Sequence, residues 1–231
     1  TPDSFYDGGR HGSPEAAVIC AHRMKEEGAD IVDIGAESTR PGSMPLSEEE
    51  EWSRLCPVLT ALSKDNFDLT ISIDTQKSGI AAMAADLGAT IINDISSGRT
   101  DPGIFRTAKE KGTDLVLMHM RGTPRTMQES PSYANALAEV RAELSSFADA
   151  AESAGVGRER IILDPGICFG KRKEDNLALI AGAGSLSELG YPLLVGVSRK
   201  SVIGAVTGAP PELRLPGTIA LNVLALNGGA R

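Results

Sequence analysis

Short apolar runs rich in Ile, Val and Leu recur along the chain, at Ile31–Ile34, Leu69–Ile73, Thr90–Ile95, Asp114–Met118, Ile161–Leu163 and Pro192–Val197. Around them lie stretches whose apolar residues follow helical spacing: Glu15–Glu27, Ser47–Leu62, Ser78–Leu87, Pro102–Lys111, Tyr133–Ser153, Glu174–Leu189 and Gly217–Leu226. Runs too short for helices, alternating with helices, predict β-α repetition around a parallel sheet buried on both faces. Ser47 and Glu50 have the S-x-x-E spacing of a capping box, while Pro57 inside the same stretch should kink it. Glu48–Glu51 reads as an acidic first turn that the helix dipole favours.

No Gly/Ser linker or charge run divides the chain, so residues 1–231 read as one domain. A complete (β/α)₈ barrel takes about 250 residues, so this length holds roughly seven and a half units. A doubly wound sheet is disfavoured because no G-x-G-x-x-G follows the first readable strand. The chain opens in turn chemistry at Thr1-Pro2-Asp3-Ser4-Phe5, as though cut within a loop. The expectation is an α/β chain, a (β/α)₈ TIM barrel without its first and last strands.

The strand interiors are apolar, but their carboxyl ends are not. In order they deliver Asp33 and Glu37 followed by Ser38-Thr39-Arg40, then Asp74-Thr75, Asn93-Asp94, His119, Asp164 and Ser198-Arg199-Lys200. Polar residues on the C-terminal rim of several strands mark the active-site face of a barrel. The two-residue side-chain period allows Asp74, Asn93, Met118, Asp164 and Ser198 to point into one cavity. Two carboxylates, an amide and Lys200 suit a planar heterocycle with alternating donors and acceptors. For any single residue, capping of the next turn competes evenly with this reading. Ser38–Gly42 could bind an anion from a loop, and Ser198–Ser201 could hold a carboxylate or phosphate at a helix start. Lys200 could alternatively form a Schiff base, and Phe169 could stack on a flat substrate.

Composition narrows the partners. With 41% hydrophobic and 23% charged residues the chain is not of the disordered class. A net charge of -8 argues against a general nucleic-acid binder. Cys20, Cys56 and Cys168 form neither a disulfide framework nor a zinc pattern, so a cytoplasmic location is expected, and no apolar run is long enough for a membrane span. His11 and His22 read as solvent-facing or structural, Cys20 and Cys56 as core. His119 could reach the site but has no second ligand spaced to share a metal.

Seven motifs, in order, resemble the dihydropteroate synthase family: T-P-D-S-F at Thr1–Phe5, D-I-G-A-E-S-T-R-P-G at Asp33–Gly42, S-I-D-T at Ser72–Thr75, I-N-D-I at Ile92–Ile95, L-M-H-M at Leu117–Met120, D-P-G-I-C-F-G-K at Asp164–Lys171 and G-V-S-R-K-S at Gly196–Ser201. The resemblance spans essentially the whole chain. It implies the (β/α)₈ barrel and a transferase that joins 6-hydroxymethyl-7,8-dihydropterin pyrophosphate to para-aminobenzoate in folate biosynthesis. It also implies that Asp74, Asn93, Met118, Asp164 and Lys200 form the pterin pocket, with Asp74, Asp164 and Lys200 catalytic and Asp164 bidentate on the pterin's amidine edge. Thr39 and Arg40 would serve the pyrophosphate from a mobile loop. Phe5, Pro41, Phe169, Ser198 and Ser201 would surround the aminobenzoate, with Lys200 beside them. Further implications are a magnesium cofactor, small-molecule substrates, a homodimer and sulfonamide binding. The family's metal-binding Asn would precede Thr1, so no metal ligand is expected within this chain, and its pyrophosphate-binding Arg-x-His would follow Arg231. Cys168 stands where the family commonly has Gly. Alternative readings are a pterin-binding methyltransferase acting with a corrinoid protein, a non-catalytic pterin-binding fragment and, more distantly, a Schiff-base aldolase.

Overall fold

A computed structural model describes residues 13–38 and 44–231. Every apolar run as far as residue 164 forms a strand: β1 (Ile31–Gly35), β2 (Thr70–Asp74), β3 (Ile91–Asp94), β4 (Asp114–Met118) and β5 (Ile161–Asp164). The helices before and between them are α1 (Pro14–Glu26), α2 (Glu48–Lys64), α3 (Ser78–Asp86), α4 (Gly103–Lys111) and α5 (Ala136–Ser153). Ser13 and Ser47 cap α1 and α2, the Ser47 hydroxyl accepting from the Glu50 amide at 3.1 Å. Pro57 does not end α2, which runs on to Lys64.

All five strands pair in parallel, in the order β1-β2-β3-β4-β5. A doubly wound sheet reverses its strand order part-way, whereas a (β/α)₈ barrel adds each strand beside the previous one, as here. The register sorts residues into two faces. Ile73, Ile92, Leu115 and Ile161 lie side by side across the sheet, all nearly fully buried. They pack in one cluster with Leu55, Leu59 and Leu62 of α2, Ile80 of α3, Ile104 of α4 and Leu144 of α5. Each such side chain contributes about 1.5–3 kcal/mol on burial, so this helix-facing layer holds the wall together and the opposite face is free to be polar. On that opposite face Asp74, Asn93, Val116 and Ile162 are neighbours, with Met118 and Asp164 two residues further on.

Two expectations need correction. Pro192–Val197 is not a strand: only Leu193 bridges, to Leu163 on one side and Ala230 on the other. The backbone bonds around it are Leu163 to Pro192, Leu194 to Leu163 and Arg231 to Leu193. A ladder needs a neighbour along its length, and among the described residues only Ala230 and Arg231 reach the outer side. Glu174–Leu189 is two helices, α6 (Lys173–Ala181) and α7 (Ala183–Ser187), parted at Gly182. Any side chain on Gly182 would run into the Leu137 methyl groups of α5. The chain continues through α8 (Ser201–Thr207) to α9 (Leu215–Asn227), whose Ile219, Val223, Leu224 and Leu226 are exposed.

Candidate active site

At the carboxyl ends of β1–β3, Asp33, Asp74 and Asn93 come together on the inner face. Asn93 Nδ2 donates to Asp33 Oδ2 at 3.0 Å. Asp33 keeps solvent-exposed surface, and partial desolvation by the neighbouring protein raises its carboxyl above the ordinary range against the hydrogen bonds of Ser72 and Asn93. Asp74 is raised further, first by burial and then by the like charges of Asp33, Glu51 and Asp94. Its neighbour Asp94 is the bland case. Fully buried on the other face, it accepts from the amides of Ser96 (2.7 Å) and Gly98 (2.6 Å) and so shapes the turn after β3. Glu37 and Glu51 converge on Lys77, and the Thr75 hydroxyl donates to Glu51 at 2.6 Å.

The segment after β5 is built differently. Asp164 Oδ1 accepts from the Gly166 amide at 2.7 Å. Gly166 has φ +64°, and a Cβ there would collide with the His119 carbonyl, so only glycine lets this turn pass so close to the end of β4. Burial raises the Asp164 carboxyl, opposed by Lys200, the Gly166 amide and Lys171. Lys200 Nζ donates to the Ile167 carbonyl at 2.9 Å and lies 5.0 Å from the centre of the Phe169 ring. Its own pKa is lowered by burial and held up by Asp164. Met118 and Phe169 belong to a small apolar cluster with Ile95, Met120 and Met127.

Beside this segment opens a cavity of about 310 Å³ lined by Met127, Gln128, Cys168, Phe169, Lys171, Ser198, Lys200, Ser201 and Arg214. Three of these side chains are cationic and none is a carboxylate. Lys171 is buried and donates to His119 Nδ1 (3.0 Å), the His119 carbonyl (3.1 Å) and the Phe169 carbonyl (2.9 Å). Burial pulls Lys171 down to about 7 against the attraction of Asp164. Because the Glu143 carboxylate at Nε2 can only accept, a neutral His119 carries its proton there and presents Nδ1 to Lys171 as a third acceptor, so this geometry holds the ammonium. His119 is lowered to about 2 by burial and by Lys171, Arg121 and Arg99, hence neutral. With Nδ1 accepting from Lys171, Nε2–H donates to Glu143 Oε2 at 3.0 Å.

The sequence-predicted residues thus fall into linked groups. Phe169, Lys200, Ser198 and Ser201 line the cavity. Asp164 and Met118 stand in register beside it, and Asp74 and Asn93 are paired neighbours further round the sheet. Phe5, Thr39, Arg40, Pro41 and His11 lie outside the described residues. His119 does not face the cavity but is locked behind it, and His22 packs edge-on against Phe67 and pairs with Asp65. Cys20 is buried, whereas Cys56 is only half-buried. The sequence places Asp33 on the polar rim without a role in the pocket, and it assigns no site role to Lys171, Gln128 or Arg214. The strand period could have found Asp33, two residues before Gly35, which pairs with Asp74. No sequence pattern links Lys171 to His119 across 52 positions. Among the described residues no group of three or more His, Cys, Asp or Glu side chains could hold a metal ion.

Comparison with known proteins bears on the whole chain. Residues 1–231 match the pterin binding enzyme family. The dihydropteroate synthase of Escherichia coli K12 is 44% identical over 230 residues, covering 100% of this chain and 81% of that protein. Among solved structures, the Yersinia pestis dihydropteroate synthase with a sulfonamide drug complex superposes with a TM-score of 0.94 at 41% identity, covering 100% of this chain and 83% of the other. The Xanthomonas albilineans dihydropteroate synthase with 4-aminobenzoic acid gives 0.90 at 43% identity, with 99% and 81% covered. The same enzyme in complex with 7,8-dihydropteroate gives 0.86 at 41%, with 100% and 82% covered. With whole-chain family coverage, identity above two-fifths and the polar rim its motifs lead one to expect, the chain belongs to the dihydropteroate synthases, pterin-binding enzymes of TIM-barrel fold.

Proposed function

We propose that this transferase condenses 6-hydroxymethyl-7,8-dihydropterin pyrophosphate with para-aminobenzoate, giving 7,8-dihydropteroate and pyrophosphate in folate biosynthesis. The observation that carries the reading is the buried Asp164 carboxylate at the end of β5, whose following loop forms one wall of a cavity that also presents Lys200, Arg214, two serine hydroxyls and an aromatic face. A carboxylate can accept two N–H bonds from the amidine edge of a pterin, while Asn93 offers a donor and an acceptor and Met118 an apolar surface. Ser198 and Ser201 would take the aminobenzoate carboxylate, and Phe169 would pack on its ring. As the methylene carbon–oxygen bond breaks, positive charge develops on the pterin, which the charges of Asp74 and Asp164 stabilise without forming a bond. The aminobenzoate nitrogen then forms the new carbon–nitrogen bond and releases a proton, and the pyrophosphate departs toward cationic side chains. Roles for Phe5, Thr39, Arg40 and Pro41 rest on the resemblance of their motifs.

Magnesium is the expected partner of the leaving pyrophosphate. The described residues do not assemble a donor set for it, and no step above runs through it. The deciding assay measures pyrophosphate release with both substrates, with and without magnesium. Release that requires aminobenzoate supports the synthase, whereas methyl transfer to a corrinoid protein without pyrophosphate release would replace it. Competition by a sulfonamide against aminobenzoate is expected in the same assay. Lys200 hydrogen-bonds a carbonyl and lies against Phe169, which favours a binding role over a Schiff base.

The quaternary and cellular readings belong to the same proposal. A second copy of this chain would cover the exposed Ile219, Val223, Leu224 and Leu226 of α9, and light scattering should give twice the chain mass, reduced by Ile219→Glu. A cytoplasmic location is consistent with three free cysteines. Among the described residues no helix is long and apolar enough to cross a membrane.

A further inference from the structure

Every residue from Ile167 to Arg172 is tied to another part of the molecule. The Ile167 carbonyl takes Lys200. Cys168 donates its amide to Asn176 Oδ1 (2.7 Å) and accepts from Gln128 Nε2 at its carbonyl (2.7 Å). Gly170 accepts from the Tyr133 hydroxyl (2.9 Å), and Arg172 donates to the Tyr133 carbonyl (3.0 Å). At the centre is Lys171, 3% exposed, whose ammonium joins the Phe169 carbonyl to both the ring and the carbonyl of His119. Behind it the line continues through His119 to Glu143 and from Glu143 to Arg121, which lies 4.2 Å from the centre of the Tyr133 ring.

Fold stability alone does not call for this. Replacing a buried charge and its partners by apolar groups of similar volume is commonly neutral or stabilising. A buried ammonium with all three protons assigned does fix geometry, because each acceptor must stay where its proton points.

Resting on the reaction proposed above, we infer that Lys171 is a positioning residue: by bridging His119 to the Phe169 carbonyl it sets where Phe169 and Asp164 stand against the bound substrates. The link to Asp164 runs through the same histidine, since the His119 amide donates to the Asp164 carbonyl at 2.8 Å while the His119 carbonyl and ring take the Lys171 ammonium. Phe169 and Asp164 act on opposite substrates, and one tether controls both.

The test is Lys171→Met in the full-length protein, with steady-state kinetics for both substrates, pterin binding by fluorescence and a thermal melt. The expected result is a fall of about 100-fold in kcat/KM, carried by raised KM for both substrates, with little loss of melting temperature. Unchanged kcat/KM, or a lowered melting temperature with unchanged kinetics, overturns the inference. If Lys171→Met does not fold, a pair at His119 decides. His119→Asn keeps an acceptor near the place of Nδ1, and His119→Leu does not. Near-normal KM in the first with raised KM in the second supports the inference, and equal KM values in both overturn it. The wild-type enzyme separates the two claims. If it releases no aminobenzoate-dependent pyrophosphate, the reaction is wrong, and the pterin affinity of Lys171→Met against wild type still reads the tether.

Discussion

The barrel mouth has two unlike halves. On the β1–β3 side the inner face carries Asp33, Asp74 and Asn93, and the carboxyls press on one another, so Asp74 is raised by like charge as well as by burial. On the β4–β5 side the buried Asp164 is also raised by its enclosure, yet the positive charges of Lys200 and Lys171 pull it back down. Both halves place acids at strand ends, so the difference lies in what surrounds them. The acidic half has charge to spare for a developing cation, while the other half gathers cations that suit a carboxylate or phosphate. A reaction that expels an anion from a carbon bearing transient positive charge needs both, on opposite sides of one mouth.

The sharpest way to break this contrast is Asp164→Asn. It leaves Lys171 and Lys200 without their carboxylate and removes the two-point acceptor. We expect loss of about 10³-fold in kcat/KM and an equally severe loss of pterin affinity, read by fluorescence titration. A variant that binds pterin normally would take Asp164 out of the site. Next in size is Asp74→Asn, expected to lower kcat by about 100-fold while raising stability at neutral pH. The sign follows from linkage. A carboxyl raised in the folded state contributes stability in full below its unfolded value of about 3.9, and this is lost as pH rises through the raised folded value. The variant should therefore melt higher than wild type at pH 7, and the two melting curves should converge below about pH 4. Divergence on acidification instead would mean that Asp74 is stabilised as a carboxylate.

The smallest effect on activity is expected from Lys77→Met, although its cost in stability is not small. Glu51 is 1% exposed and would be left buried with only the Thr75 hydroxyl, at a cost of about 3 kcal/mol by urea unfolding. Because Lys77 meets Glu37 and Glu51 rather than the inner-face acids, kcat/KM at low temperature should stay close to wild type. A loss of activity matching that of Asp74→Asn would join this cluster to the site.

What could be read in advance follows the range of the interaction. β4 runs from Asp114 to Met118 as expected because a buried parallel strand is specified by its own apolar residues. The Asp74–Asn93 pairing was legible because the two-residue period fixes which side of a strand a residue occupies. That Asn93 faces inward while Asp94 shapes a turn follows from the same alternation. Leu193 failed as a strand for the opposite reason, since a strand is made by its neighbours as much as by itself. The need for glycine at position 182 depends on Leu137 of another helix, and the Lys171–His119 tether on two loops meeting. Neither leaves a local trace.

The consecutive strand order bears on how the chain acquires its structure. Each of β2, β3 and β4 pairs with the strand synthesised just before it and with the one synthesised just after. An emerging chain can therefore extend a sheet that already exists, paying for one short loop closure at a time instead of waiting for distant partners. Assembly from the amino end is in that sense templated, and the edge that would otherwise invite aggregation is filled by the next segment to leave the ribosome.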